Sequence, residues 1–118
     1  MAPDASTAKR TIANSPLAER VREALPAPRV REVKMFGGLA FMLDDRMVVC
    51  VDRGGGLLVR VSPDRDAELM ERPGTGRMSM GSKQLDSGWI LVDAAALADD
   101  EGFAFWLDEA LDFHAASS

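Results

Sequence analysis

The side chains in this 118-residue chain that could do chemistry are few: one cysteine, Cys50, one histidine, His114, and two adjacent aspartate pairs, Asp44-Asp45 and Asp99-Asp100. A thiolate nucleophile needs a base and an electropositive setting, and Cys50 sits instead within the apolar run Met47–Val51, where a thiol reads as a small buried hydrophobe. A lone histidine cannot anchor a His-based metal site without other ligand types, and a helix C-terminus already favours the cation that His114 could carry there. Paired carboxylates suggest acid–base work or a hard-metal site. Asp44-Asp45 falls in a turn and Asp99-Asp100 at a helix start, however, where aspartate belongs on structural grounds. No catalytic residue, metal site or cofactor is expected, and an enzyme built on Asp44, Asp45 or Cys50 is the least favoured of three readings.

Two glycine runs, Gly37-Gly38 and Gly54-Gly55-Gly56, could form anion nests, with Arg53 beside the second. Neither opens a Walker or dinucleotide-type helix, so both are assigned to strand reversal. Seven methionines are a high count for this length. Methionine fills cores and also lines adaptable binding surfaces, so a methionine-lined groove for a partner helix or peptide is the functional option carried forward. Trp89 starts a strand and the other aromatic residues cluster mostly in Phe103–Phe113, an acidic stretch, and so read as core instead of as stacking platforms for nucleic acid.

These side chains hang on a regular succession of elements. Residues 1–14 lack periodicity and are expected to form a flexible tail, with a single domain over 15–115. Ser15-Pro16 caps a first amphipathic helix with Leu17, Val21 and Leu25 on one side, stopped by Pro26-Ala27-Pro28. Arg29–Phe36 alternates as a short or edge strand. Leu39–Leu43, Met47–Val51 and Leu57–Val61 follow as strands, separated by turns too tight for anything but antiparallel pairing. Ser62-Pro63-Asp64 starts a second helix running to about Glu71. Met78-Ser79-Met80 reads as a brief strand with both methionines on one face, Gly81–Ser87 as a loop, and Trp89–Val92 as the last strand. Asp99-Asp100-Glu101 opens a final helix with Phe103, Trp106, Leu107, Ala110 and Leu111 along one side. The fold class is α+β: two layers, a mostly antiparallel sheet with helices on one face, in the order α-β(4)-α-β(2)-α.

Charge is distributed unevenly along the chain, whose net value is −5. Residues 1–34 hold seven Lys/Arg and four Asp/Glu, whereas residues 93–118 hold seven acids and no Lys or Arg. Overall acidity argues against autonomous duplex binding, which draws most of its affinity from phosphate contacts. The basic N-terminal third keeps nucleic acid as the second reading, through Arg20, Arg22, Arg29, Arg31 and Lys34, with Lys9 and Arg10 ahead of them. No apolar run approaches the length of a membrane span, and the N-terminus lacks the apolar core of a signal peptide. A single cysteine fits a reducing compartment, so the expected location is the cytoplasm.

The motifs Lys34-Met35-Phe36-Gly37-Gly38, Phe41-Met42, Met47-Val48-Val49, Leu57-Leu58-Val59-Arg60-Val61, Arg72-Pro73-Gly74 and Gly88-Trp89-Ile90-Leu91-Val92-Asp93, with Trp106-Leu107 and Ala110-Leu111 in the last helix, come in the order and spacing seen in one family. Over roughly residues 16–113 the chain resembles the N-terminal domain of the TfoX/Sxy competence regulators. The resemblance implies a secretion-chaperone-like two-layer fold and a part in bacterial competence or transcriptional regulation, exercised through protein partners. Longer family members carry a second, C-terminal domain, so a stand-alone N-terminal domain is expected here. The segment Gly81–Ser87 departs from the Thr-Gly-Arg-Pro-Met-like stretch usual in that family. The first reading is therefore a non-enzymatic regulatory or adaptor domain, with Met35, Phe36, Gly37, Gly38, Met78, Met80 and Trp89 as candidate partner-binding residues. An exposed strand edge and an acidic helix also offer surfaces for a homodimer.

Overall fold

A computed structural model of the chain describes residues 15–35, 37–80, 82–85 and 87–116; the expected tail and Phe36 lie outside the described residues. Helix α1 (Pro16–Ala24) starts where Ser15 Oγ accepts a hydrogen bond from Ala18 N, with Pro16 at the first helical position, where no amide partner is needed. A 3-10 turn (Ala27–Arg29) leads into strand β1 (Val30–Met35), followed by β2 (Gly38–Leu43), β3 (Arg46–Val51) and β4 (Leu57–Arg60). Helix α2 (Pro63–Leu69) is capped by Ser62. After it come β5 (Thr75–Gly76), the hairpin strands β6 (Ser79–Met80) and β7 (Lys83–Gln84), and β8 (Trp89–Val92). A 3-10 helix (Ala94–Leu97) capped by Asp93 precedes α3 (Asp100–Ala116), where Asp99 Oδ1 accepts from Gly102 N at 2.9 Å.

Six strands form one sheet in the order β1-β2-β3-β4-β8-β5, antiparallel at every pairing, and β6-β7 stand apart as a two-stranded ribbon. The α+β class, the antiparallel sheet and the leading order of one helix then four strands agree with the sequence reading. The region between α2 and α3 is more elaborate than expected. Thr75–Gly76 adds an edge strand, and Lys83–Gln84 turns the expected loop into half of a hairpin. Met78 lies just ahead of the strand Ser79–Met80, not within it.

The principal core lies on the helix side of the sheet. Leu39, Phe41 and Leu43 of β2, Val49 and Val51 of β3, Leu57 and Val59 of β4, and Ile90 and Val92 of β8 meet Val21 of α1, Leu69 of α2 and Phe103, Trp106 and Leu107 of α3. Trp106 is almost fully buried there, and truncating a side chain of that size to alanine typically removes about 3–5 kcal/mol. Arg20 staples α1 to the last helix: its Nη1 donates to Leu97 O at 2.8 Å and its guanidinium lies 4.2 Å from the Phe103 ring centroid. Arg65 on α2 reaches Glu109 on α3 with two hydrogen bonds of 2.8 and 2.9 Å.

One irregularity decides which side chains point away from the helices. Phe41 pairs with Val49 but Met42 pairs with Met47, so Val48 is an extra residue in β3. Val48 and Val49 both join the helix-side core, as the first two residues of a bulge commonly do. Met47 and Cys50, three positions apart, consequently face the same way, away from the helices. No helix of the described residues is long and apolar enough to cross a membrane.

Candidate functional site

All three helices cover one side of the sheet, which leaves the other side to be explained. Strand alternation places Arg31, Val33 and Met35 of β1, Ala40 and Met42 of β2, Met47 and Cys50 of β3, Leu58 and Arg60 of β4, and Trp89 and Leu91 of β8 on it. Ala40, Cys50, Leu58 and Met78 form a buried cluster on this open face, with Met35, Met42, Met47, Leu85, Trp89 and Leu91 half-buried around it. Met78 and Leu85 come from either side of the β6-β7 hairpin, which therefore covers part of the face; Leu85 N donates to Met78 O at 2.9 Å across its base.

What pins that hairpin is a buried ion pair. Asp66 on α2, 3% exposed, accepts from both Nη atoms of Arg77 and from Gly88 N at 2.7 Å, while Arg77 Nη1 also donates to Trp89 O at 3.0 Å. These donors, Arg77 foremost, hold the Asp66 carboxyl below the usual carboxylate range. No local signal announces it, because neither residue falls in a recognisable motif.

Of the residues expected to bind a partner, Met35, Met78 and Trp89 do come together on the open face. Gly37 is an exposed turn residue with φ +75°, and Gly38 is buried in β2, where an added Cβ would stand 2.2 Å from Val51 O. Met80 is placed in the hairpin by its backbone alone. Met42 and Met47, absent from the residues that the sequence marks as partner-binding, belong to the same face. They sit opposite one another two steps from the Asp44-Asp45 turn, a proximity that hairpin geometry alone could have suggested.

The candidate nucleic-acid contacts are mostly engaged with acids of the chain itself. Arg22 holds Glu32 through hydrogen bonds of 2.5 and 2.8 Å, Arg29 grips Asp44 with two nitrogens, Arg31 reaches Asp45 at 3.2 Å, and Arg20 lies 3.6 Å from Asp100. Lys34 is exposed on β1. Alternation sends Lys34 to the helix side and Arg31 to the open side, so the five do not share one stripe.

Of the groups with catalytic potential, Cys50 stands apart, while His114 meets the Asp44-Asp45 turn. Burial, with Asp52 nearby, pushes the Cys50 thiol up to about 11, which keeps it protonated near neutral pH. Asp44 and Asp45 occupy a two-residue hairpin turn at φ +53° and +68°, a conformation that aspartate tolerates better than most residues. Asp44 also accepts from the buried His114, Nε2 to Oδ2 being 3.2 Å, so the imidazole is tied to the turn as well as to its helix end. Arg29, and then His114, hold the Asp44 carboxyl far below its ordinary value. No set of three or more His, Cys, Asp or Glu side chains able to hold a metal ion occurs among the described residues.

The fold and site thus define an open-faced α+β domain, helix-covered on one side of its sheet and methionine-rich on the other. The TfoX N-terminal domain model matches residues 23–114, and the chain belongs to that family. No curated protein and no solved structure matches it.

Proposed function

We propose that this chain is a non-enzymatic regulatory or adaptor domain of the bacterial cytoplasm, acting in competence or transcriptional control by binding another protein with the open face of its sheet. The observation that carries this reading is the half-exposed group Met35, Met42 and Met47 on the side away from the helices. Flexible, polarisable thioethers suit a surface that must fit a partner, and an apolar sheet face with no helix over it is where such a partner would gain most. Membership of the TfoX N-terminal domain family supports a regulatory setting. The acid partners of Arg20, Arg22, Arg29 and Arg31 weigh against phosphate as the principal ligand.

The test is comparative capture from lysate of a competent bacterium carrying this chain. Immobilised wild-type domain is expected to retain a protein that a Met42→Lys/Met47→Lys variant, shown to be folded by circular dichroism, does not retain. Identical recovery on the two matrices would count decisively against this face.

A further inference from the structure

The open face has an electrostatic character opposite to that of the chain as a whole. The protein carries 19 acids against 14 Lys/Arg, yet among the described residues of the six-stranded sheet the charged side chains that strand alternation puts on this face are Arg31 and Arg60, with the Cys50 thiol buried between them. Arg31 is opposite Met42 and Met42 opposite Met47, while Arg60 is opposite Trp89, so two short rows, Arg31–Met42–Met47 and Arg60–Trp89, run across this face. The Arg60 guanidinium lies 5.7 Å from the Trp89 ring centroid and 5.1 Å from that of Phe113, and it has no carboxylate partner among the described residues. Arg31 meets only Asp45, at 3.2 Å, and both side chains are more than half exposed, so that pair contributes little and exchanges readily.

An occupant of this face therefore meets apolar side chains with a cation on either flank, the nearest acids being Asp45 beside Arg31 and Asp52 near Cys50. Resting on the protein-contact reading above, we infer that the partner segment is an acidic amphipathic helix, with apolar side chains against Met42, Met47 and Trp89 and flanking carboxylates against Arg31 and Arg60. Charge complementarity makes the selection. A basic helix of the same apolar face would bring like charges to both arginines, whereas carboxylates gain charge-assisted hydrogen bonds there. A second copy of the chain does not supply this segment from α3, because Phe103, Trp106, Leu107 and Ala110 of that acidic helix already face its own core.

The test uses two synthetic helical peptides of about 15 residues sharing one Leu/Ala face, one with Glu and the other with Lys on its flanks. They are titrated into the full chain labelled at its methionine methyl groups and followed by NMR. The Glu peptide is expected to shift the Met42 and Met47 methyls saturably, with an affinity that falls as salt is raised, and to bind at least about tenfold tighter than the Lys peptide. In Arg31→Glu/Arg60→Glu the preference should reverse. Arg31→Lys/Arg60→Lys should keep it, which separates a charge effect from loss of fold. Equal or tighter binding of the Lys peptide to wild type overturns the charge assignment while leaving the contact face standing. If neither peptide moves these methyls, and an oligothymidylate or self-association of the chain does, both the assignment and the protein-contact reading fall.

Discussion

Arg77, next after edge strand β5, closes on Asp66 of α2, and the carboxylate it holds is 4% exposed in its side chain. The pair links α2 to the segment that carries the β6-β7 hairpin, and through Gly88 N and Trp89 O it also fixes the entry to β8. An ion pair this well hydrogen-bonded is destabilising to break, most of all by removing Arg77, since the Asp66 charge then stays buried. Asp66→Ala is expected to lower stability by about 3 kcal/mol, and Arg77→Ala by at least as much. The double variant should lose less than the sum. Urea unfolding of the four proteins gives the coupling, and strict additivity would show the pair to be inert.

The same carboxylate sets a pH dependence. Asp66, Glu32 and Asp44 are all held below their ordinary values by Arg77, Arg22 and Arg29 respectively. Their folded values lie under their unfolded ones, so the stabilisation is complete above about pH 5 and drains away as protons bind below about pH 4. Wild type should hold a constant urea midpoint from neutral pH down to the upper end of that range and then fall. Asp66→Asn should show a shallower acid decline, because one of the protonation steps is gone. Parallel curves for the two proteins would mean that Asp66 takes no part.

Gly38 should not tolerate alanine. Its Cβ would stand 2.2 Å from Val51 O, a main-chain atom of the paired strand that cannot swing aside. Gly38→Ala is expected to cost about 2–3 kcal/mol, whereas Gly76→Ala, with nothing within 4 Å of the added atom, should change stability by under about 0.5 kcal/mol. Thermal melts of the two variants side by side decide it.

Cys50 should behave as an inert thiol in the folded protein. It is 1% exposed and its pKa is pushed up to about 11, so both access and thiolate fraction are low. Ellman's reagent is expected to label it at a rate that tracks opening of the fold, rising sharply in urea. Fast labelling of native protein would revive the nucleophile reading.

Much of the fold was legible because period and punctuation agreed. Ser15-Pro16 and Ser62-Pro63 mark helix starts that the structure places at Pro16 and Pro63, and Asp44-Asp45 marks a hairpin turn that it confirms. Strands of two residues, such as Thr75–Gly76 and Lys83–Gln84, have no period to read and are held by their neighbours instead. The open face was half-legible. Met35, Met78 and Trp89 were singled out, but the uninterrupted run Met47-Val48-Val49-Cys50-Val51 hides its bulge, since every residue in it is apolar and alternation leaves no trace. Long-range partners such as Asp66 with Arg77 and His114 with Asp44 join positions 11 and 70 residues apart, and no local rule reaches across such separations.

The extra valine in β3 is a spliced-in residue whose removal would restore a plain two-residue rhythm: Arg46 inward, Met47 outward, Val49 inward, Cys50 outward. Every other side chain in the strand would keep its side. Chains lacking Val48 would thus inherit the same outward-facing chemistry with a slightly emptier interior, so this strand can vary in length by one residue without rewriting what the domain shows to its surroundings.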